Sequence, residues 1–166
     1  CTYWNLGKYE TEDQIAAAKY FGKLPYIDED RMAIWGWSYG GFMALNCLTY
    51  GNETFKAGIS IAPVTDWRLY NTAYTERFMS TPQENDYGYE QSDLIEKAHL
   101  LKGKLLLCHG TADDNVHIQH AMLYCNALVE AGIQFEMQIY PNKNHSILGA
   151  KTRHHLYTRF NTFLKN

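Results

Sequence analysis

The stretch MAIWGWSYGGFMAL at 32–45 constrains this chain more than any other. Four apolar residues, Met32, Ala33, Ile34 and Trp35, run into Gly36-Trp37-Ser38-Tyr39-Gly40, and Gly41 opens a run containing Phe42, Met43, Ala44 and Leu45. That order predicts a buried strand, a sharp turn and a helix. In so tight a turn backbone presses on backbone, so Gly36 and Gly40 are expected where a Cβ would collide, and Ser38 is pushed out at the apex. The pattern G-x-S-x-G is short and arises by chance, but here both flanks supply the strand-turn-helix context that gives it meaning.

A chain of 166 residues, 46% hydrophobic and 14% aromatic, is long and apolar enough for one globular domain with a real core. A net charge of −3 and a pI near 6.2 leave no basic face to neutralise phosphates, so no nucleic-acid partner is expected. No apolar run approaches a membrane span, and CTYWNLGKYETEDQ lacks the charged start and apolar core of a signal peptide. Cys1, Cys47, Cys108 and Cys125 are far apart and without metal-ligand spacing, which predicts small core hydrophobes and no disulfide framework.

Helical spacing of Ile15, Ala16, Ala18, Tyr20, Phe21 and Leu24 predicts a helix over 12–24, with Thr11 or Asp13 as N-cap and Pro25 as terminator. The helix after Ser38 is expected to run to about Tyr50, stopped by Gly51-Asn52, and AGISIAP at 57–63 reads as a second strand. Residues 64–102 are rich in Tyr, Trp and charge and carry no strand signal; short helices are expected at 66–72, 75–80 and 92–97. KLLLCHG then predicts a strand buried on both faces that enters the turn at 110–115. A helix over 116–131, a fourth strand at QFEMQIYP, a polar loop at 142–146 and a last helix over 150–164 complete the chain. Strands alternating with helices predict an α/β fold with a mostly parallel sheet covered by helices on both faces.

Reactive groups in such sheets gather at the carboxyl ends of the strands. Ser38 follows the first strand, Asp113 and Asp114 the third, and His145 the fourth. A serine hydroxyl is a poor nucleophile at neutral pH; it needs an imidazole to take its proton and a carboxylate to hold that imidazole in the right tautomer. The order Ser, Asp, His along the chain is that of α/β-hydrolases. Among the other histidines, His154 and His155 lie inside the last helix, His99 reads as surface, and His117 and His120 are expected in polar or partly solvated positions. His109 also ends a strand, but it precedes the acid too closely to bridge acid and serine, so it reads as a satisfied structural histidine. Spacing does not choose between Asp113 and Asp114. No metal or cofactor is expected, since only His117 and His120 approach ligand spacing.

These residues resemble the catalytic C-terminal region of dipeptidyl peptidase IV in the prolyl oligopeptidase family of serine peptidases. The similarity rests on GWSYGG at 36–41, HGTADDNVH at 109–117 and APVTDWRLYNTAYTERFM at 62–79, and it extends over nearly the whole chain. The resemblance implies a partial α/β-hydrolase fold, with Ser38 as nucleophile, Asp113 as acid and His145 as base. It further implies the Tyr39 N–H as an oxyanion donor, and Val64, Trp67, Tyr70, Tyr74 and Val116 as the pocket for the residue before the cleaved bond. Asn115 matches the group that binds the carbonyl of the substrate's first residue. Flat aromatic walls suit a compact proline ring, so peptide substrates with proline or alanine second are expected.

By the same resemblance, residues 1–166 form the C-terminal part of a catalytic domain whose N-terminal strands and preceding β-propeller lie outside this sequence. The propeller would grip the substrate's free amine, and an upstream tyrosine would complete the oxyanion hole; loss of one such donor costs about 2.7–4 kcal/mol in the transition state. The fragment alone is therefore expected to hydrolyse poorly. Its MAIWG strand would form a bare sheet edge, which predicts self-association there; the last helix, which contributes to homodimers in the family, is a second expected interface. Family members are exported, to a periplasm or cell surface or by secretion, and the same is expected here. An esterase on the same fold and a silent interaction module are the competing readings.

Overall fold

The computed structural model describes residues 1–51 and 54–165, so Asn52, expected to help stop a helix, lies outside the described residues. Four strands, β1 (Ala33–Trp37), β2 (Ala57–Ile61), β3 (Lys104–Gly110) and β4 (Glu136–Tyr140), pair in parallel in the order β1-β2-β3-β4. Six helices accompany them: α1 (Lys8–Gly22), α2 (Tyr39–Tyr50), α3 (Thr72–Met79), α4 (Asp86–Ser92), α5 (Gln119–Glu130) and α6 (Ala150–Lys165). The expected partial α/β-hydrolase sheet is present.

Successive side chains of a strand point to opposite faces, and β3 divides its leucines accordingly. Leu105 joins a core with Phe42, Leu45 and Leu48 of α2, Ala18 of α1, and Tyr124 and Leu128 of α5. Leu106 and Cys108 join Ile59 and Ile61 of β2 on the other face, closed by Leu156, Phe160 and Phe163 of α6. Each fully buried apolar side chain of this size contributes roughly 1.5–3 kcal/mol. Helices therefore cover both faces, and all four cysteines are free thiols. Burial pushes the Cys47 and Cys108 thiols up to about 12, as small core groups rather than nucleophiles.

The expected elements form with shifted limits. Helix α1 begins at Lys8, four residues before the expected start, because Gly7 adopts φ 90° and Glu10 reaches back to accept its N–H at 3.2 Å. In the aromatic excursion, 66–72 shrinks to a 3₁₀ turn at Trp67–Leu69 and the helix over 75–80 starts at Thr72. Apart from Ser92, which ends α4, residues 92–97 form no helix; 3₁₀ structure appears instead at Ala98–Leu100. Helix α4 carries no apolar period, and its N-cap Asn85 is fixed through Nδ2 by the carbonyls of Trp4 and Met79. Helix α5 begins three residues later than expected, because Val116 belongs to the acid turn.

Candidate active site

Strand β1 delivers Ser38 at its carboxyl end, and Ser38 holds φ 59° and ψ −118°, a conformation that costs about 1–3 kcal/mol where surrounding contacts impose it. Its N–H is held by the Ile61 carbonyl of β2 at 2.8 Å. A Cβ on Gly36 would collide with the Gly40 carbonyl, as expected for the elbow. Gly40 departs from expectation, since a Cβ there would meet nothing within 4 Å; the second tight glycine is Gly41, where a Cβ would lie 2.8 Å from the Ile61 oxygen. The close approach is made by the helix against β2, a tertiary contact that the motif alone does not specify. Tyr39 is the first residue of α2, and its N–H makes no hydrogen bond among the described residues, as the free donors of a first helical turn do.

The acid comes from the turn after β3. Asp113 is buried, and its Oδ1 accepts the N–H groups of Asn115 at 3.0 Å and Val116 at 2.9 Å. Its Oδ2 lies 2.8 Å from His145 Nδ1 and 3.2 Å from His109 Nε2. Burial pushes this carboxyl up, but bonds from His109, His145 and the Asn115 N–H, with the His145 charge, outweigh it and hold the group well below the ordinary carboxylate range. Asp114 is exposed. Of the two aspartates, only Asp113 contacts an imidazole among the described residues.

The loop after β4 carries His145 to this carboxylate through backbone bonds. The Lys143 carbonyl accepts the Ala112 N–H at 3.0 Å, and the Thr111 hydroxyl accepts the Asn142 N–H at 2.8 Å. On its other side, the His145 carbonyl accepts the Trp37 indole N–H at 2.8 Å, which ties the loop to the residue before Ser38. Arg153 of α6 lies 4.9 Å over the Trp37 ring and donates to the Ser146 carbonyl at 2.7 Å. The Ser38 hydroxyl has no hydrogen-bond partner among the described residues.

Beside Ser38 opens a pocket of about 200 Å³ lined by Trp37, Ser38, Tyr39, Val64, Trp67, Tyr70 and Tyr74. Trp67 and Tyr74 stack at 5.8 Å, and Tyr70 stands edge-on to both, at 5.9 and 5.3 Å. Tyr70 donates its hydroxyl to Asn115 Oδ1 at 2.6 Å, joining the aromatic excursion to the acid turn. Val64, Trp67, Tyr70 and Tyr74 line it, and Asn115 touches Tyr70. Val116 does not line it; it is fully buried in the cluster that holds Val64 and Trp67, and its N–H donates to Asp113.

Sequence reasoning missed three contributors. Trp37 lines the pocket and anchors the histidine loop. Glu10, far away in sequence, accepts the Tyr39 hydroxyl, and burial followed by the bond to this carboxylate raises the phenol far above its usual range. His120, expected to be partly solvated, is buried; its Nδ1 accepts the Thr65 N–H at 3.1 Å and so fixes the pocket wall beside Val64. Burial and the neighbouring His109 push this imidazole down to about 4. No local signal marks Glu10 or His120, because each acts on a residue distant in sequence. Among the described residues, no cluster of three or more ligating side chains could hold a metal, and no helix is long and apolar enough to cross a membrane.

The model of the prolyl oligopeptidase family matches residues 2–166. The chain belongs to the prolyl oligopeptidase family. Within it, the chain is 47% identical over 165 residues to the "probable dipeptidyl-aminopeptidase B" of Aspergillus oryzae, covering 98% of this chain and 18% of that protein. The protein of the same name from Neurospora crassa is 44% identical over the same length, again 18% of the relative. The dipeptidyl peptidase 4 structure from Porphyromonas gingivalis superposes with a TM-score of 0.97 at 58% identity, covering 99% of this chain and 23% of that one. The resemblance to dipeptidyl peptidase IV within the prolyl oligopeptidase family stands on these matches, and the chain spans about a fifth of the length of its relatives.

Proposed function

We propose that these residues form part of a serine exopeptidase that releases X-Pro and X-Ala dipeptides from peptide N-termini. The 2.8 Å contact between His145 Nδ1 and Asp113 Oδ2, tied through Trp37 to the Ser38 elbow, carries the reading. In the proposed reaction, His145 Nε2 takes the Ser38 proton as Oγ attacks the scissile carbonyl, and the new oxyanion meets the Tyr39 N–H. Collapse breaks the C–N bond and returns the proton to the leaving amine, leaving an acyl-enzyme. Water, deprotonated by His145, then releases the dipeptide and restores the serine.

The Trp67, Tyr70 and Tyr74 rings support the substrate assignment, since flat apolar faces around a small pocket favour a compact side chain. Asn115, with its Oδ1 engaged by Tyr70, leaves its amide N–H groups for a substrate carbonyl. An esterase of the same fold would use the same triad without needing Asn115. The test is fluorophosphonate labelling of the longest natural polypeptide carrying these residues, with the modified site located, alongside Gly-Pro p-nitroanilide and short-chain nitrophenyl esters. Labelling at Ser38 with anilide turnover is expected; ester turnover alone would make the protein an esterase, and absence of labelling would make it a silent module.

The 166 residues by themselves are proposed to hydrolyse weakly, because the second oxyanion donor and the amine-binding acids fall, by resemblance, outside them. Among the described residues β1 pairs on one side only and leaves Trp35 58% exposed, which supports self-association through that edge. Exposed Tyr157 and Leu164 make α6 the second candidate surface, and by resemblance a β-propeller is the other partner of this domain. Monomers by light scattering at high concentration would remove the edge proposal.

A further inference from the structure

The reaction just described makes no use of His109, yet that ring sits on its acid. His109 is completely buried in β3, and its Nε2 lies 2.8 Å from the Val116 carbonyl oxygen and 3.2 Å from Asp113 Oδ2. A carbonyl oxygen only accepts, so Nε2 carries the hydrogen, which bonds the Val116 carbonyl while Asp113 Oδ2 stands beside it as the second, longer contact. The other nitrogen, Nδ1, is buried with no partner among the described residues. An orphaned polar atom is a cost that leucine or methionine in the same place would avoid, so packing does not account for an imidazole here. What the imidazole supplies is an N–H that bonds the Val116 carbonyl and borders the Asp113 carboxylate.

We infer that His109 is a positioning residue that shares Asp113 with His145, fixing the carboxylate and drawing off part of its charge, and thereby sets how firmly His145 holds a proton. The inference rests on the Ser38, Asp113 and His145 reading. Oδ1 is held by two backbone N–H groups, and Oδ2 is held between two imidazoles. Without the His109 N–H, more of the negative charge on Oδ2 falls on His145 and favours its protonated form. The same loss frees the carboxylate to swing, which weakens the tautomer control that the base needs. Through Val116, the same N–H also braces the turn that presents Asn115 to Tyr70.

Other titratable or charged groups border the triad on every side. Asp114 shares the acid turn, while His117 and His120 approach from the start of α5. Tyr70 reaches the turn through Asn115, Lys143 precedes His145 in its loop, and Arg153 of α6 holds the Ser146 carbonyl. None of them donates to Asp113 among the described residues, so a change confined to His109 isolates its N–H.

The experiment compares pH profiles of kcat/KM for Gly-Pro p-nitroanilide in the longest natural polypeptide, for the native protein, His109→Leu and His109→Gln. Leucine keeps the volume and removes the donor; glutamine retains an N–H. His109→Leu is expected to lose about tenfold in kcat with KM within about twofold, and the midpoint of its acidic limb should move up by roughly half a pH unit or more. His109→Gln should keep the native midpoint. A leucine variant that loses activity without moving the limb, or one in which KM alone changes, would reduce His109 to a packing residue and overturn the inference. Independently of activity and of variant folding, ¹⁵N-histidine spectra of the native protein should show the Nε2–H tautomer at His109, and an Nδ1–H tautomer would overturn it. Retention of hydrolysis in Ser38→Ala would instead sink the underlying triad reading, and the tautomer measurement would still decide on His109.

Discussion

Strands β1 and β3 are both short apolar runs that end in a candidate reactive side chain, yet they occupy opposite situations. Among the described residues, β3 has a strand on each side and is buried from Leu105 to Gly110, while β1 has one neighbour and leaves Ala33 and Trp35 exposed. Residue pattern alone reads both as buried runs, because an apolar run records that a strand is to be covered and says nothing about what covers it; only the family resemblance set β1 at a bare edge. Among the described residues, the candidate nucleophile thus rides on the sheet's edge while the candidate acid follows an interior strand. The acid turn is correspondingly dense, with three hydrogen-bonded donors and the His109 Nε2 contact on one carboxylate, whereas the serine is positioned by backbone strain and a single N–H bond to β2.

The largest test of that contrast is catalytic. Ser38→Ala on the edge strand should lower kcat/KM of the longest natural polypeptide by about 10⁶, and Asp113→Asn at the centre by about 10⁴, since an amide leaves the imidazole in the wrong tautomer. Gly-Pro p-nitroanilide turnover reads both, and a native-like rate in either variant would break the site assignment. In stability the order of the strands reverses. Leu106→Ala, in the two-sided core of β3, should cost about 2–5 kcal/mol in denaturant unfolding, whereas Trp35→Thr on β1 should change it by less than about 0.5 kcal/mol.

Acid should expose the buried histidine beside the pocket. The His120 imidazole binds its proton near pH 4 in the folded chain, against 6.5 when unfolded, so between those values the unfolded state holds more protons. Its share of stability is complete above about pH 6.5 and declines as pH falls towards 4, by at most about 3 kcal/mol. Unfolding of His120→Gln should lack that share of the decline; equal slopes for both proteins would mean that His120 is hydrated. Asp113, held below the ordinary carboxylate range, adds stability that is present above about pH 4 and lost only in stronger acid. The smallest expected effect lies at the elbow: Gly40→Ala should be neutral or stabilising by up to about 1 kcal/mol, because its Cβ finds open space on a helix. A loss of several kcal/mol there would restore Gly40 to the steric role that the motif first assigned it.

Much of the site was legible because its signals are local. Gly36 and Ser38 mark the elbow through a turn that spans five residues, and Asp113 and His145 lie in loops directly after apolar runs. The aromatic pocket was legible in part through spacing, although Trp67, Tyr70 and Tyr74 at i, i+3 and i+7 could equally have packed one helix face; instead they lie on a 3₁₀ turn, the residue after it and α3.

The sequence by itself determined the order and type of most elements and the candidate nucleophile and base, because period, breakers and turn chemistry act over a few residues at a time. Residue spacing left Asp113 and Asp114 open, and only the resemblance favoured Asp113, since the two differ only in which way the turn aims them. Only the tertiary structure shows which of them meets an imidazole, together with the tight contact at Gly41, the burial of His109 and His120, and the reach of Glu10 to Tyr39. Each of these depends on groups far apart along the chain meeting in a water-poor interior, where the partner of a polar atom is fixed by packing rather than by sequence neighbours.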